Sequence, residues 1–200
     1  MPAPFAARSP ACYGLRVRIV AGSLGGRVLR APHGAATRPT SEKVREAIFS
    51  ILGPADGAAL DLFAGSGALG LEAVSRGASR AVFVEKGRPA LDALRRNLRD
   101  LGVADRAEIV AGDVVAYLGR PGIGRFRWVF IDPPYRTDLA VRALAALPAA
   151  ALDEDAVVVV EHDRRNSPAD QHGSLLRTDL RRYGDTCISL YRARPLPEPP

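Results

Sequence analysis

Two hundred residues with 47% hydrophobic content suffice for one core, and no linker-like stretch divides them. Only Cys12 and Cys187 are present, in no metal-spaced pair, which argues against a disulfide framework or a zinc site, and no run approaches the roughly 20 apolar residues of a membrane span. The formal net charge of +6 is unevenly spread: residues 1–50 hold eight basic and two acidic side chains, whereas the remaining 150 hold 20 of each.

Residues 1–16 contain Arg8 and Arg16 but no continuous apolar core, so they read as a disordered extension and not as a secretory leader. Before Glu42 six arginines, among them Arg16, Arg18, Arg27, Arg30 and Arg38, stand without a single acid. Such a local field suits a polyanion. The excess of 26 Arg over two Lys can reflect composition alone, but the missing acids cannot. Leu15, Val17 and Ile19 alternate with Arg16 and Arg18, Ser23-Leu24-Gly25-Gly26 supplies a turn, and Arg27 to Arg30 returns: a hairpin with arginines on its open face. Beyond Thr37-Arg38-Pro39-Thr40, a helix is expected from about Ser41 to Leu52, capped by Thr40 or Ser41, docking through Val44, Ala47, Ile48, Ile51 and Leu52. Residues 17–53 form a candidate substrate-binding appendage suited to a polyanion, with Arg16, Arg18, Arg27, Arg30, Arg38 and Thr40 as its contacts, and residues 54–193 the main domain.

Leu60 to Gly70 then reads as a short strand, a glycine-rich turn and a helix start, continuing to a cap at Gly77. Gly65, Gly67 and Gly70 spell G-x-G-x-x-G, and Glu85 ends the next strand, Ala81 to Val84, which is also the pattern of a dinucleotide site. Asp61 separates the readings. At the mouth of such a loop a carboxylate repels a pyrophosphate and attracts an ammonium group, so the charge favours S-adenosylmethionine over NAD. A helix from Arg88 to Leu101 follows, with Leu91, Leu94, Leu98 and Leu101 inward, then a strand from Ala107 ending near Asp113. Asp113 and the Val114 N–H can present an acceptor and a donor to adenine, and Glu85 can bridge two ribose hydroxyls; singly, each acid is as well explained as a turn or capping residue.

After a short helix at Val114 to Leu118, the apolar run Trp128 to Ile131 enters Asp132-Pro133-Pro134-Tyr135 at the carboxyl end of a buried strand, where open α/β sheets bind ligands; three acids at successive strand ends followed by this motif at the fourth are hard to explain as caps. Asp132 can accept from an amino group, the prolines fix the backbone, and Tyr135 offers a flat face to a planar base. A helix at Leu139 to Leu147, a strand at Ala156 to Val160 and an antiparallel pair near Leu175 to Leu180 and Thr186 to Tyr191 complete the domain. The proline-rich residues 194–200 read as an unstructured tail.

From about Val17 to Arg192 the chain resembles the class I S-adenosylmethionine-dependent methyltransferases of the amino-group type, and among them the bacterial enzymes that methylate the exocyclic N2 of a guanine in 16S ribosomal RNA. The resemblance rests on Arg18 to Gly22, Gly26-Arg27, Thr37 to Thr40, Asp61 to Gly70, Val84-Glu85-Lys86, Asp132 to Tyr135 and Tyr183-Gly184-Asp185-Thr186. It implies a Rossmann-like sheet of seven strands with the last antiparallel, and S-adenosylmethionine as cofactor without a metal. It also implies a cytoplasmic monomer acting on 16S ribosomal RNA within a partly assembled small subunit. Carried to matching positions, the cofactor residues are Asp61, Phe63, Ala64, Gly65, Ser66, Gly67, Glu85, Lys86, Asp113 and Val114, and the catalytic residues Asp132, Pro133, Pro134 and Tyr135. Rivals remain: an amino-methyltransferase acting on DNA adenine or a protein glutamine, an NAD-dependent oxidoreductase, and a non-catalytic ribosome-assembly binder. DNA enzymes of this type carry a larger target-recognition region, and the oxidoreductase leaves Asp132 to Tyr135 without a role.

Overall fold

Apolar residues alternate sides along the strands of this chain, and leucine and alanine recur at helical spacing between them, so the sheet is covered on both faces. The computed structural model describes residues 17–32, 42–54, 56–135 and 137–194. In chain order the elements are β1 (Val17–Arg18), β2 (Val28–Leu29), α1 (Glu42–Leu52), β3 (Ala58–Leu62), α2 (Ala68–Ser75), β4 (Arg80–Glu85), α3 (Arg88–Leu101) and β5 (Ala107–Ala111). Then come α4 (Val114–Leu118), β6 (Phe126–Ile131), α5 (Leu139–Ala146), β7 (Leu152–Asp163), β8 (Gln171–His172), β9 (Leu175–Tyr183) and β10 (Thr186–Ala193). The N-terminal and C-terminal extensions fall largely outside the described residues, as do Arg16, Arg38 and Thr40.

One sheet of eight strands runs in the order β5-β4-β3-β6-β7-β10-β9-β8. Strands β3 to β7 pair in parallel, and β10 lies antiparallel between β7 and β9. The seven expected strands are all here with the last reversed, and β8 is an eighth at the edge; two residues carry no periodicity to announce it. The chain moves outward from β3 to β5 and then returns to the other side of β3 as β6, so the strand order reverses between β3 and β6. That reversal is the topological switch point, where an α/β sheet opens a crevice at its carboxyl edge.

On one face Ala59, Phe83, Trp128, Phe130, Val157 and Ile188 meet α1, α2, α3 and the hairpin; on the other Leu60, Val82, Val129, Ile131 and Val158 meet α4 and α5. Each fully buried valine, leucine, isoleucine or phenylalanine among them contributes about 1.5–3 kcal/mol. Among the described residues no helix is long and apolar enough to cross a membrane.

Helix α1 docks on a stripe that shares Val44, Ile48 and the partly buried Leu52 with the expected one but is rotated away from Ile51. Val44, Arg45, Ile48 and Phe49 are buried, whereas Ile51 is 41% exposed. The rotation follows from Phe49, whose ring packs 5.6 Å from Trp128 and 5.5 Å from Phe130 and lies beneath the Arg76 guanidinium. Arg45 enters the interior with it and donates to the Arg18 carbonyl, and burial holds its pKa below the ordinary arginine value.

The hairpin is held by two polar side chains of α2. Buried Glu72 accepts from the N–H groups of Val20 (2.7 Å) and Ala21 (3.0 Å), and Ser75 accepts from Leu24 N–H through its hydroxyl and from Ser23 N–H through its carbonyl. Gly22 sits between them at φ +82°, and a Cβ there would lie 2.0 Å from the Ser75 carbonyl oxygen. Gly22→Ala is therefore expected to cost roughly 2–4 kcal/mol, combining left-handed strain with overpacking. Gly26→Ala, at φ +79° but with nothing within 4 Å, should cost only about 1–2 kcal/mol from the backbone. Urea melts of the two variants check the difference.

Candidate active site

Leu62 pairs with Ile131 and with Val84, so the loops after β3, β4 and β6 leave the sheet at one level. The glycine loop, Glu85 and Asp132 to Tyr135 therefore stand side by side at the switch point, with Asp113 beyond Glu85 after β5. Three acids at this edge, Asp132, Glu85 and Asp113, with Lys86 as a nearby cation, make a field suited to a positively charged ligand and unsuited to a pyrophosphate.

The loop after β3 begins at Phe63, which takes φ 65° and is the one residue other than glycine in that region among those described. Ala64 N–H donates to the Val84 carbonyl, which ties the loop to β4. Gly67 opens α2 at φ 84°, and a Cβ on Gly70 would stand 2.4 Å from the buried Phe83 ring. The third glycine is thus set by close packing of helix on strand.

Asp61 is placed differently from the expectation. It lies inside β3 with 2% exposure, on the face toward α2, and accepts the Gly70 N–H at 2.8 Å. Because strand side chains alternate, a residue between Leu60 and Leu62, both buried on the face covered by α4 and α5, must point to the opposite face, under α2, and not out of the loop mouth. Burial pushes its pKa up to about 8; the Gly70 hydrogen bond opposes this and the Glu85 charge adds to it.

Glu85 spends its carboxylate on the backbone: Oε2 accepts from Gly65 N–H (2.9 Å), and Oε1 from the N–H groups of Lys86 (2.9 Å) and Gly87 (2.6 Å). It clamps the loops after β3 and β4 together. Lys86 itself is exposed. Asp113 caps α4, its Oδ1 accepting from Val115 and Ala116, and the Val114 side chain is buried beneath. The capping reading of Asp113 is thus present in the structure, with Oδ2 making no hydrogen bond among the described residues.

Asp132 is half-buried, Pro133 buried and Pro134 exposed, and Thr137 donates to the Pro134 carbonyl at 2.8 Å. Tyr135 is 41% exposed, and its hydroxyl donates to Glu161 Oε1 at 2.6 Å and lies 3.0 Å from Thr186 Oγ1. A shallow depression beside it is lined by Pro133, Tyr135, Glu161, His162 and Asn166. The Tyr183 to Thr186 turn, which carried only resemblance in the sequence, reaches the candidate catalytic tyrosine through Thr186.

The arginines of the hairpin are exposed, but not free of acids once the chain is folded. Arg18 pairs with Glu42 at 2.9 Å and holds its carboxyl below the usual carboxylate range; Arg30 pairs with Asp100 at 2.9 Å, and Arg27 donates to the Asp100 carbonyl. Buried Asn97 of α3 joins this region to the glycine loop: it accepts from Arg30 N–H and donates to the carbonyls of Arg30 and Ser66. Sequence reasoning missed Glu161, Glu72 and Asn97. The signal that could have found them was a polar residue at a position that helical or strand spacing turns inward, as for Asn97 between Leu94 and Leu98.

The family described as Conserved hypothetical protein 95 matches residues 17–192. The Escherichia coli (strain K12) protein named Ribosomal RNA small subunit methyltransferase D is 38% identical over 154 residues, covering 76% of this chain and 77% of its own. YlbH of Bacillus subtilis (strain 168) is 38% identical over 184 residues, which is 89% of this chain and 100% of that one. Among solved structures, yhhF from Escherichia coli superposes with a TM-score of 0.77 at 33% identity, covering 89% of this chain and 98% of its own.

Proposed function

Because the chain belongs to the family that includes Ribosomal RNA small subunit methyltransferase D, we propose that it transfers a methyl group from S-adenosylmethionine to the exocyclic N2 amine of a guanine in 16S ribosomal RNA. The observation that carries this reading is the juxtaposition at the switch point: a glycine loop flanked by acids, and beside it a rigid turn presenting a carboxylate and an exposed aromatic ring. S-adenosylmethionine brings an electrophilic methyl on a sulfonium and an ammonium, both cationic and both suited to this acidic edge. Glu85, Asp113, the loop from Phe63 to Gly67, Lys86 and Val114 would hold it, with Asp61 acting from beneath the loop.

The guanine amine is a poor nucleophile, since its lone pair is delocalised into the ring. Asp132 accepts a hydrogen bond from that amine and favours a pyramidal nitrogen; a bond to a charged acceptor is worth roughly 1.5–3 kcal/mol. Tyr135 stacks on the extruded base, an interaction worth about 1–3 kcal/mol. Rigid placement of both residues by Pro133 and Pro134 supplies the larger share, because orientation can account for about 7–11 kcal/mol of a barrier.

The substrate we infer is RNA within a partly assembled small subunit, bound in part by the hairpin. Phosphates need only displace exposed ion pairs there, which are worth about 0–1 kcal/mol each. Replacing Arg18, Arg27 and Arg30 by glutamine should weaken RNA binding and leave cofactor affinity unchanged. The log–log salt dependence of RNA binding should flatten by about 0.7–0.9 for every phosphate that these side chains neutralise in the parent. An unchanged slope in a filter-binding titration places the RNA elsewhere.

The reading as a whole is tested by incubating the protein with S-adenosylmethionine carrying a labelled methyl and either 16S ribosomal RNA, subunit particles, DNA or protein. Mass spectrometry of the product should find N2-methylguanosine at one position. Label in adenine of DNA or in glutamine, or micromolar binding of NAD in place of S-adenosylmethionine, overturns it.

A further inference from the structure

We infer that Glu161 and Thr186 are positioning residues for methyl transfer, acting together through the Tyr135 hydroxyl to fix the ring that stacks on the target base. The inference rests on the ribosomal RNA methyltransferase reading of the site and adds two residues to it. Pro133 and Pro134 set the backbone leading to Tyr135 but leave its own side-chain torsions open. An exposed tyrosine on a turn would sample several rotamers. Here the hydroxyl closes that freedom: its single proton goes to Glu161 Oε1 at 2.6 Å, so across the 3.0 Å separation Thr186 is the donor.

The two partners lie on neighbouring strands and on one face of the sheet. Thr186 pairs with Asp163, two residues along β7 from Glu161. Glu161 is 4% exposed and Tyr135 is 41% exposed, so the anchor is buried while the ring stays open to a ligand. Burial and the bond to Glu161 also raise the phenol pKa, which keeps Tyr135 a neutral donor and removes it as a base. Three segments distant in sequence therefore converge on one oxygen. Mere support of the strand would need no bond to a residue on a loop.

Glu161 also lies in the field of buried Arg45, so its removal disturbs more than one interaction. Conservative variants are for that reason the probes: Glu161→Gln, Thr186→Val and Tyr135→Phe, each alone and the first two also combined with the third. On 16S ribosomal RNA or subunit particles, each single variant should lower kcat/KM for the RNA by about 3- to 10-fold, the scale expected for re-ordering one loosened side chain. Affinity for S-adenosylmethionine and the melting temperature of Thr186→Val should not change. In the Tyr135→Phe background, Glu161→Gln and Thr186→Val should cause no further loss, since the hydroxyl through which they act is gone. Losses that multiply in the double variants, or single variants as active as the parent, overturn the inference while the enzyme's activity stands. A parent protein that transfers no methyl to ribosomal RNA overturns the functional reading and this inference with it.

Discussion

Asp132→Ala is expected to lower kcat for methyl transfer by at least about 100-fold while leaving the affinity for S-adenosylmethionine within a factor of two of the parent. The reason is positional. Asp132 follows β6 beside the loop after β3, where the proposed mechanism puts the target amine, whereas the glycine loop proposed to hold the cofactor is clamped by Glu85 through Gly65 N–H. Loss of the carboxylate removes both the acceptor that orients the amine and the nearest sink for its proton. Asp132→Asn separates the two. Its amide oxygen still accepts a hydrogen bond but takes no proton, so the variant should retain activity well above that of Asp132→Ala if orientation is the main contribution. Equal losses in both would identify Asp132 as an obligate base, and a matched loss of cofactor binding would move it out of the target site. Single-turnover rates with saturating cofactor, together with calorimetry, provide both readouts.

The elements whose pattern has a clean period were legible in the sequence. Trp128 to Ile131 and Ala81 to Val84 are apolar runs of strand length, and α3 shows leucines at 91, 94, 98 and 101. The glycines of the loop after β3 were also readable, because Gly67 and Gly70 are required by backbone and packing, which leave a trace in residue type. What the sequence hid were partnerships across long separations. Nothing local indicates that Arg18 pairs with Glu42 or Arg30 with Asp100, so an acid-free stretch of chain looked like an acid-free surface. The stripe of α1 was read as the most apolar arc, but Phe49 found two aromatic partners and carried Arg45 inward with it. Glu161 stood in plain view after four valines, and only the fold brings Tyr135 to it.

Asp61 yields the other large effect, and its sign can be worked out from burial. The carboxyl is 2% exposed with its pKa pushed up to about 8, far above the roughly 3.9 of an unfolded aspartate. The folded protein without cofactor thus holds this proton more tightly than the unfolded chain. The resulting stability is fully present below about pH 4 and is lost progressively as pH rises through about 8. Asp61→Asn keeps an oxygen for the Gly70 N–H and has nothing to ionise, so it should melt higher than the parent at pH 8 and show a flatter dependence of Tm on pH. A bound cation reverses the preference. If the ammonium of S-adenosylmethionine is stabilised by ionised Asp61, binding must expel the proton, and parent affinity should rise by up to about tenfold per unit from pH 6 toward 8. The gain should end near there, where the ligand's own amino group, with a pKa of about 7.7–8.0, begins to lose its charge. Asp61→Asn should bind weakly throughout, without the rising limb. Calorimetric affinities across this range decide the matter: a parent affinity independent of pH, or an Asp61→Asn affinity equal to the parent's, would leave Asp61 as an anchor for the start of α2 and assign the ammonium to another group.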